Sequence, residues 1–155
     1  MAESARVRTQ VIDAKTHSRA PREVVWSILA DGGSWSEWGP WTKSELEREG
    51  APSPGGLGSI KHLTRGRLRL REEVTEFDAP SRYGYKLLSG LPVRNYRAHV
   101  NLSDAGDGTD IQWHSEFEGR LPGTGWVIRR SLQRAVNDVA GRLAAEAQRR
   151  AAASN

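Results

Sequence analysis

RGRLRLREEVTEF, residues 65–77, alternates charged and apolar side chains over most of its length. A period of two is that of a β-strand, whose successive side chains face opposite sides. On that reading Arg65, Arg67, Arg69 and Arg71 share one face, and Leu68, Leu70 and Val74 share the other. Glu72 falls on the leucine face. A carboxylate there is either a reactive or ligand-contacting group in a pocket, or the mark of an exposed sheet edge or a slipped strand. Phe77 has the opposite parity from Leu70 and Val74, so a bulge is expected after Val74. A bulge before Glu72 would instead return its carboxylate to solvent.

The same period continues on both sides. Candidate strands cover 42–49, 57–65, 67–77, 81–89, 94–103 and 109–119, separated by APSPGG, Arg65-Gly66, APS, GLPV and DAGDG. These breaks are rich in turn-forming residues, and breaks so short imply hairpins, hence an antiparallel meander. Residues 6–17 alternate in the same way and supply a seventh strand. Between it and the meander, Val24, Val25, Ile28 and Leu29 recur at helical spacing after Pro21, and Gly32-Gly33 ends the run. SWSEWGPW, residues 34–41, predicts a short second helix capped by Ser34 and stopped by Gly39-Pro40.

Residues 126–149 place Ile128, Leu132, Ala135, Val136, Val139, Leu143 and Ala147 on one helical stripe, with residues 150–155 as a frayed tail. The fold class is therefore α+β: a curved, seven-stranded antiparallel sheet whose apolar face is covered by one long C-terminal helix, with two short helices after the first strand. The inward parities of the later strands are apolar and aromatic: Tyr83, Tyr85 and Leu87; Tyr96, Ala98, Val100 and Leu102; Ile111, Trp113, Ser115 and Phe117.

At 155 residues the chain fits one domain, 1–155, with an ordered core of about 6–149. Nineteen arginines against four lysines drive a net charge of +4, which permits anionic partners without requiring them. The absence of cysteine excludes disulfides, thiolate zinc sites and cysteine nucleophiles. No apolar leader and no run long enough to span a bilayer are present, so a cytoplasmic protein without stable membrane insertion is expected.

The segments SRAPREVVWSILAD, SWSEWGPW, GLGSI, LREEVTEFDAPSRYGYKLLSG and DGTDIQWHSEFEG, with the long Arg/Ala-rich final helix, resemble the START-related helix-grip superfamily (SRPBCC) over residues 6–149. The nearest branch is the bacterial polyketide cyclase/dehydrase-like proteins. The resemblance implies a deep cavity between helix and concave sheet that holds a hydrophobic ligand, and it implies no one chemistry.

Glu72 is the candidate proton-transfer residue, since burial against apolar walls raises a carboxyl pKa; the alternative is an exposed or Arg-paired edge residue. His62, Tyr83, Tyr85 and Tyr96 are the partners that inward orientation would offer it. Tyr83, Tyr85, Tyr96, Trp113 and Ser115, with Leu70 and Val136, are candidate ligand contacts, against the alternative of core packing with satisfied polar tips. Trp35, Trp38 and Trp41 form either an aromatic lip at the entrance or a plug in the open end of the sheet, with Trp38 and Trp41 the better placed for ligand.

His17, His62, His99 and His114 lack metal-ligand spacing, Ser115 lacks a GxSxG elbow, and GGLGS at 55–59 lacks the strand-to-helix context of a phosphate loop. The arginine stripe is read as a mixed-charge solvated face rather than a nucleic-acid surface, because Glu73 and other acids share the outward positions. The expectation is thus a binder of an aromatic, polyketide-like or lipid-like small molecule, or a polyketide cyclase/dehydratase. No metal, cofactor or nucleic acid is expected, and the state is monomer or homodimer. A partner-binding role would require an exposed apolar patch around Trp35–Trp41.

Overall fold

In the computed structural model, which describes residues 8–154, seven strands form one antiparallel sheet in the order β1-β7-β6-β5-β4-β3-β2. The strands are β1 (Thr9–Ser18), β2 (Lys43–Arg48), β3 (Ile60–Arg65), β4 (Leu68–Asp78), β5 (Arg82–Ser89), β6 (Val93–Ala105) and β7 (Gly108–Gly119). Helix α1 (Arg22–Ala30) and a 3-10 helix (Gly32–Glu37) follow β1, and α2 (Gly125–Ala153) ends the chain. β2 to β7 run as the expected meander, and β1 closes on β7 with Ile12 opposite Ser115 and Ala14 opposite Trp113. The expected start of the first strand at residues 6 and 7 lies outside the described residues.

Two hairpins set the registers that matter. Gly66 (φ +60°) and Gly106 (φ +57°) each open a two-residue turn, the Gly-first pattern of the type II′ turns that suit the twist of hairpin strands. Across the Gly66-Arg67 turn, Arg65 pairs with Leu68, Leu63 with Leu70 and Lys61 with Glu72. Directly paired residues share a face, so Arg65 lies on the leucine face. It leaves the arginine stripe that simple alternation assigned to it, because the turn restarts the alternation. Arg71 keeps its outward place, donating to Glu47 at 3.0 and 2.8 Å, and Glu73 sits near Arg48 and Lys86. The face is one of mixed charge.

The β4–β5 ladder shifts register between Val74 and Glu76, where the reversed parity of Phe77 called for a bulge, and again between Arg71 and Glu72, where β5 supplies the extra residue. The β4 bulge follows Glu72 and leaves it on the concave side. Helix α2 spans that side with Val136, Val139, Ala140, Leu143, Ala144 and Ala147 buried. Ala135, on the expected stripe, is exposed. Ser18 Oγ donates to Ala144 O at 2.8 Å and pins the helix to β1. The helix continues to Ala153, so most of the expected tail is helical. The second short helix is 3-10 and begins at Gly32, ahead of Ser34, with no side-chain cap.

Candidate functional site

Concave sheet and α2 do not meet everywhere, and between them lies a cavity of about 120 Å³. Its sheet wall comes from Leu70 and Glu72 of β4, Tyr85 and Leu87 of β5, Tyr96 of β6 and Trp113 of β7. Its helix wall is Leu132, Ala135, Val136 and Val139. Trp35, Pro40, Trp41, Leu68 and Leu91 complete the wall, and the exposed Arg65, next to Trp41 across the start of the β2–β3 ladder, marks where it opens to solvent. The wall is mostly apolar with a few polar groups, the usual make-up of a small-molecule pocket.

Of the sequence-predicted contacts, Trp41, Leu70, Glu72, Tyr85, Tyr96, Trp113 and Val136 lie in this wall. Four others lie elsewhere. His62 points to the outer face, where its Nε2 sits 2.8 Å from Glu47 Oε1, because its strand neighbour Lys61 takes the inward position. Ser115 is fully buried behind the wall and accepts from Tyr96 Oη at 3.1 Å. Tyr83 is fully buried at the base, packed near Trp26, Trp35 and Phe77. Trp38 is buried against Trp35 and Trp41 at centroid distances of 5.4 and 6.0 Å. The tryptophans thus divide: Trp38 plugs the sheet, the buried Trp35 both plugs it and backs the cavity, Trp41 reaches the cavity, and no exposed apolar patch remains there for a partner.

The residue that strand parity alone missed is Lys61, 1% exposed. Its Nζ donates to Tyr83 Oη at 3.0 Å, stands 4.0 Å above the Trp35 ring and lies 3.2 Å from Glu72 Oε1. The last contact is within ion-pair reach but off the line of a hydrogen bond, and Glu72 Oε1 has no hydrogen-bond donor. Counting back from a two-residue turn at Gly66 would have set Lys61 opposite Glu72.

Burial pushes the Glu72 carboxyl up from its ordinary value, with the Lys61 ammonium opposing. Burial alone would pull Lys61 down, but the Tyr83 oxygen and the Glu72 carboxylate hold it above its ordinary value. Burial also raises Tyr85 well above the ordinary phenol and pushes Tyr96 up to about 12, so both rings enter the wall as neutral phenols. Tyr85 Oη accepts from Trp113 Nε1 at 3.2 Å. The site therefore joins a flat aromatic surface to one buried, charge-compensated carboxyl. Among the described residues no group of three or more His, Asp or Glu gathers as a metal site, and no helix is long and apolar enough to cross a membrane.

A seven-stranded sheet wrapped over one long helix, with an apolar cavity between, defines the START-like helix-grip class. The chain belongs to the polyketide cyclase/dehydrase and lipid transport family, whose model matches residues 9–148. A search of curated protein sequences finds no match. Solved structures share the fold at low identity. A START superfamily protein from Mycobacterium smegmatis aligns with a TM-score of 0.76 at 14% identity, covering 90% of this chain and 97% of that one. Norcoclaurine synthase from Thalictrum flavum, in complex with dopamine and hydroxybenzaldehyde, aligns at 0.68 and 16%, covering 88% and 85%. A protein from Nitrosospira multiformis aligns at 0.71 and 18%, covering 88% and 95%.

Proposed function

We propose that this protein binds an aromatic, polyketide-like or lipid-like small molecule in the cavity between α2 and the concave sheet. The observation that carries the reading is the wall itself: Tyr85, Tyr96, Trp113 and Trp41 face aliphatic residues of α2 across a cavity of about 120 Å³, somewhat smaller than the apolar cavities of about 150 Å³ that admit benzene. That a protein of the same fold was solved with two small aromatic molecules supports it. The reading carries with it a cytoplasmic monomer or homodimer and no nucleic-acid partner. Native mass spectrometry of protein purified from its own host is the test, with a bound mass expected that organic solvent removes. An empty protein that is also insensitive in thermal shift to lipids, quinones and polyphenols would overturn the reading.

A second reading, a polyketide cyclase/dehydratase, is favoured by one feature: Glu72 is buried, lies in the wall and has its carboxyl pushed up, as proton transfer near neutral pH requires. Tyr85 and Tyr96, on the same wall, are the phenols closest in role. Turnover of a poly-β-ketone thioester by the protein, lost in Glu72→Gln, would establish this chemistry. Unchanged product in that variant would dismiss Glu72.

A further inference from the structure

We propose that the cavity takes a flat amphipathic acid: an aromatic ring with a hydroxyl at the buried end, held by Glu72, and a carboxylate at the opening, held by Arg65. This rests on the ligand-binding reading and names the ligand's chemistry.

At the buried end, Glu72 is 5% exposed and its Oε1 has no hydrogen-bond donor. Lys61 compensates the charge from 3.2 Å but directs its hydrogen bond to Tyr83. Glu72 lines the cavity and, among the described residues, no side chain but Lys61 stands within polar reach of its carboxyl, so a ligand donor that reaches the cavity side of that carboxyl gains more than it would in water. That donor is a neutral hydroxyl rather than an ammonium group. Lys61 already holds the cation position beside the same carboxyl, and a second cation would meet it at low dielectric. A hydroxyl also accepts, so it serves an ionised or a protonated Glu72.

At the opening, Arg65 is exposed, faces inward opposite Leu68, and forms no ion pair among the described residues. Its guanidinium suits a carboxylate, which it can hold with two bonds. Leu68 and Glu72 stand four residues apart on β4, about 13 Å of strand. Between the two anchors lie Leu70, Tyr85, Trp113 and Val136, which offer packing and stacking surface for one ring and a short arm.

Isothermal titration with 3-(4-hydroxyphenyl)propanoate, its dehydroxy analogue 3-phenylpropanoate and its methyl ester tests the assignment. The hydroxy acid is expected to bind about tenfold tighter than either. Arg65→Ala, a surface change, is expected to abolish the preference for acid over ester while the hydroxyl preference stays. Lys61→Met/Glu72→Leu, which removes both buried charges together, should abolish the hydroxyl preference alone. Equal affinity for acid and ester in the parent protein, or an acid preference that survives Arg65→Ala, overturns the proposal. If 2-naphthol binds while the three probes are not discriminated, the amphipathic assignment falls and the ligand-binding reading stands. If no probe binds, the amphipathic assignment falls, and native mass spectrometry of the protein from its own host decides the ligand-binding reading separately.

Discussion

Lys61 and Glu72 face one another across the β3–β4 ladder, with Nζ 3.2 Å from Oε1 and both side chains almost wholly removed from water. Such a pair contributes little net stability, because desolvating two charges offsets their attraction. Breaking it is another matter. Lys61→Met leaves a buried carboxylate without compensation and is expected to cost about 3–5 kcal/mol in urea denaturation at neutral pH. Lys61→Met/Glu72→Leu should recover most of that loss. A double variant no more stable than the single one would show that the ammonium acts chiefly through Trp35 and Tyr83.

The pH dependence of Lys61→Met follows from the sign of the Glu72 shift. Its folded carboxyl lies above the ordinary value, so the protonated form is favoured by folding and stability falls as pH rises past the unfolded value. Removing the opposing ammonium widens that window. Lys61→Met is therefore expected to lose less stability, relative to the parent, at about pH 5 than at pH 7. A destabilisation independent of pH would mean that Glu72 holds the same protonation state in both proteins across that range.

Trp35 is the keystone of the plug. It is 1% exposed, its Nε1 donates to Leu29 O at 3.1 Å, and its ring lies below Lys61 Nζ and beside Tyr83, Tyr85 and Trp113. Trp35→Ala is expected to cost about 3–5 kcal/mol, whereas Trp41→Ala, at the partly buried cavity end, should cost distinctly less and weaken ligand binding instead. Paired thermal melts and ligand titrations separate the two roles.

Val136 projects from α2 into the cavity wall. Val136→Phe fills free space rather than displacing a neighbour, so the melting temperature should change little while affinity for an aromatic probe falls about tenfold or more. Undiminished binding would place the ligand outside this cavity.

His17 on β1 stands 2.8 Å from Asp110 and 3.0 Å from Asp107 at the far end of the sheet. Hydrogen bonds to Asp110 and then Asp107 raise its imidazole pKa. A raised folded value means that the contribution is full below the ordinary imidazole pKa and is lost as pH rises through the folded one. NMR titration should give a His17 midpoint above 6.5 that drops in Asp110→Asn. An unmoved midpoint would show the contact to be without effect in solution.

Much of this fold was legible in the chain because local rules and global architecture agree. The turns at Gly66 and Gly106, the alternation in β4 to β7 and the apolar stripe of α2 each report a neighbour-scale constraint, and they point to one sheet under one helix. The reversed parity of Phe77 even announced the bulge near Thr75. The site was legible only in part. Parity sets Glu72, Tyr85, Tyr96 and Trp113 on the face that lines the cavity, but the inward orientation that His62 required is not met and Lys61 carries no local signal. A lysine within a strand reads as an outward residue, since its burial is rare without a partner. That partner comes from another strand.

By itself the sequence determined the order of elements, the hairpin turns and which side of most strands is apolar, because those follow from side-chain period and backbone freedom over a few residues. Only the tertiary structure decided that Lys61, Glu72, Tyr83 and Trp35 meet, that Trp38 plugs while Trp41 reaches the cavity, and that Arg65 turns to the opening. These depend on register, on the two β4–β5 shifts and on how closely α2 approaches the sheet. They are balances of burial against charge among residues distant in the chain, which no local pattern records.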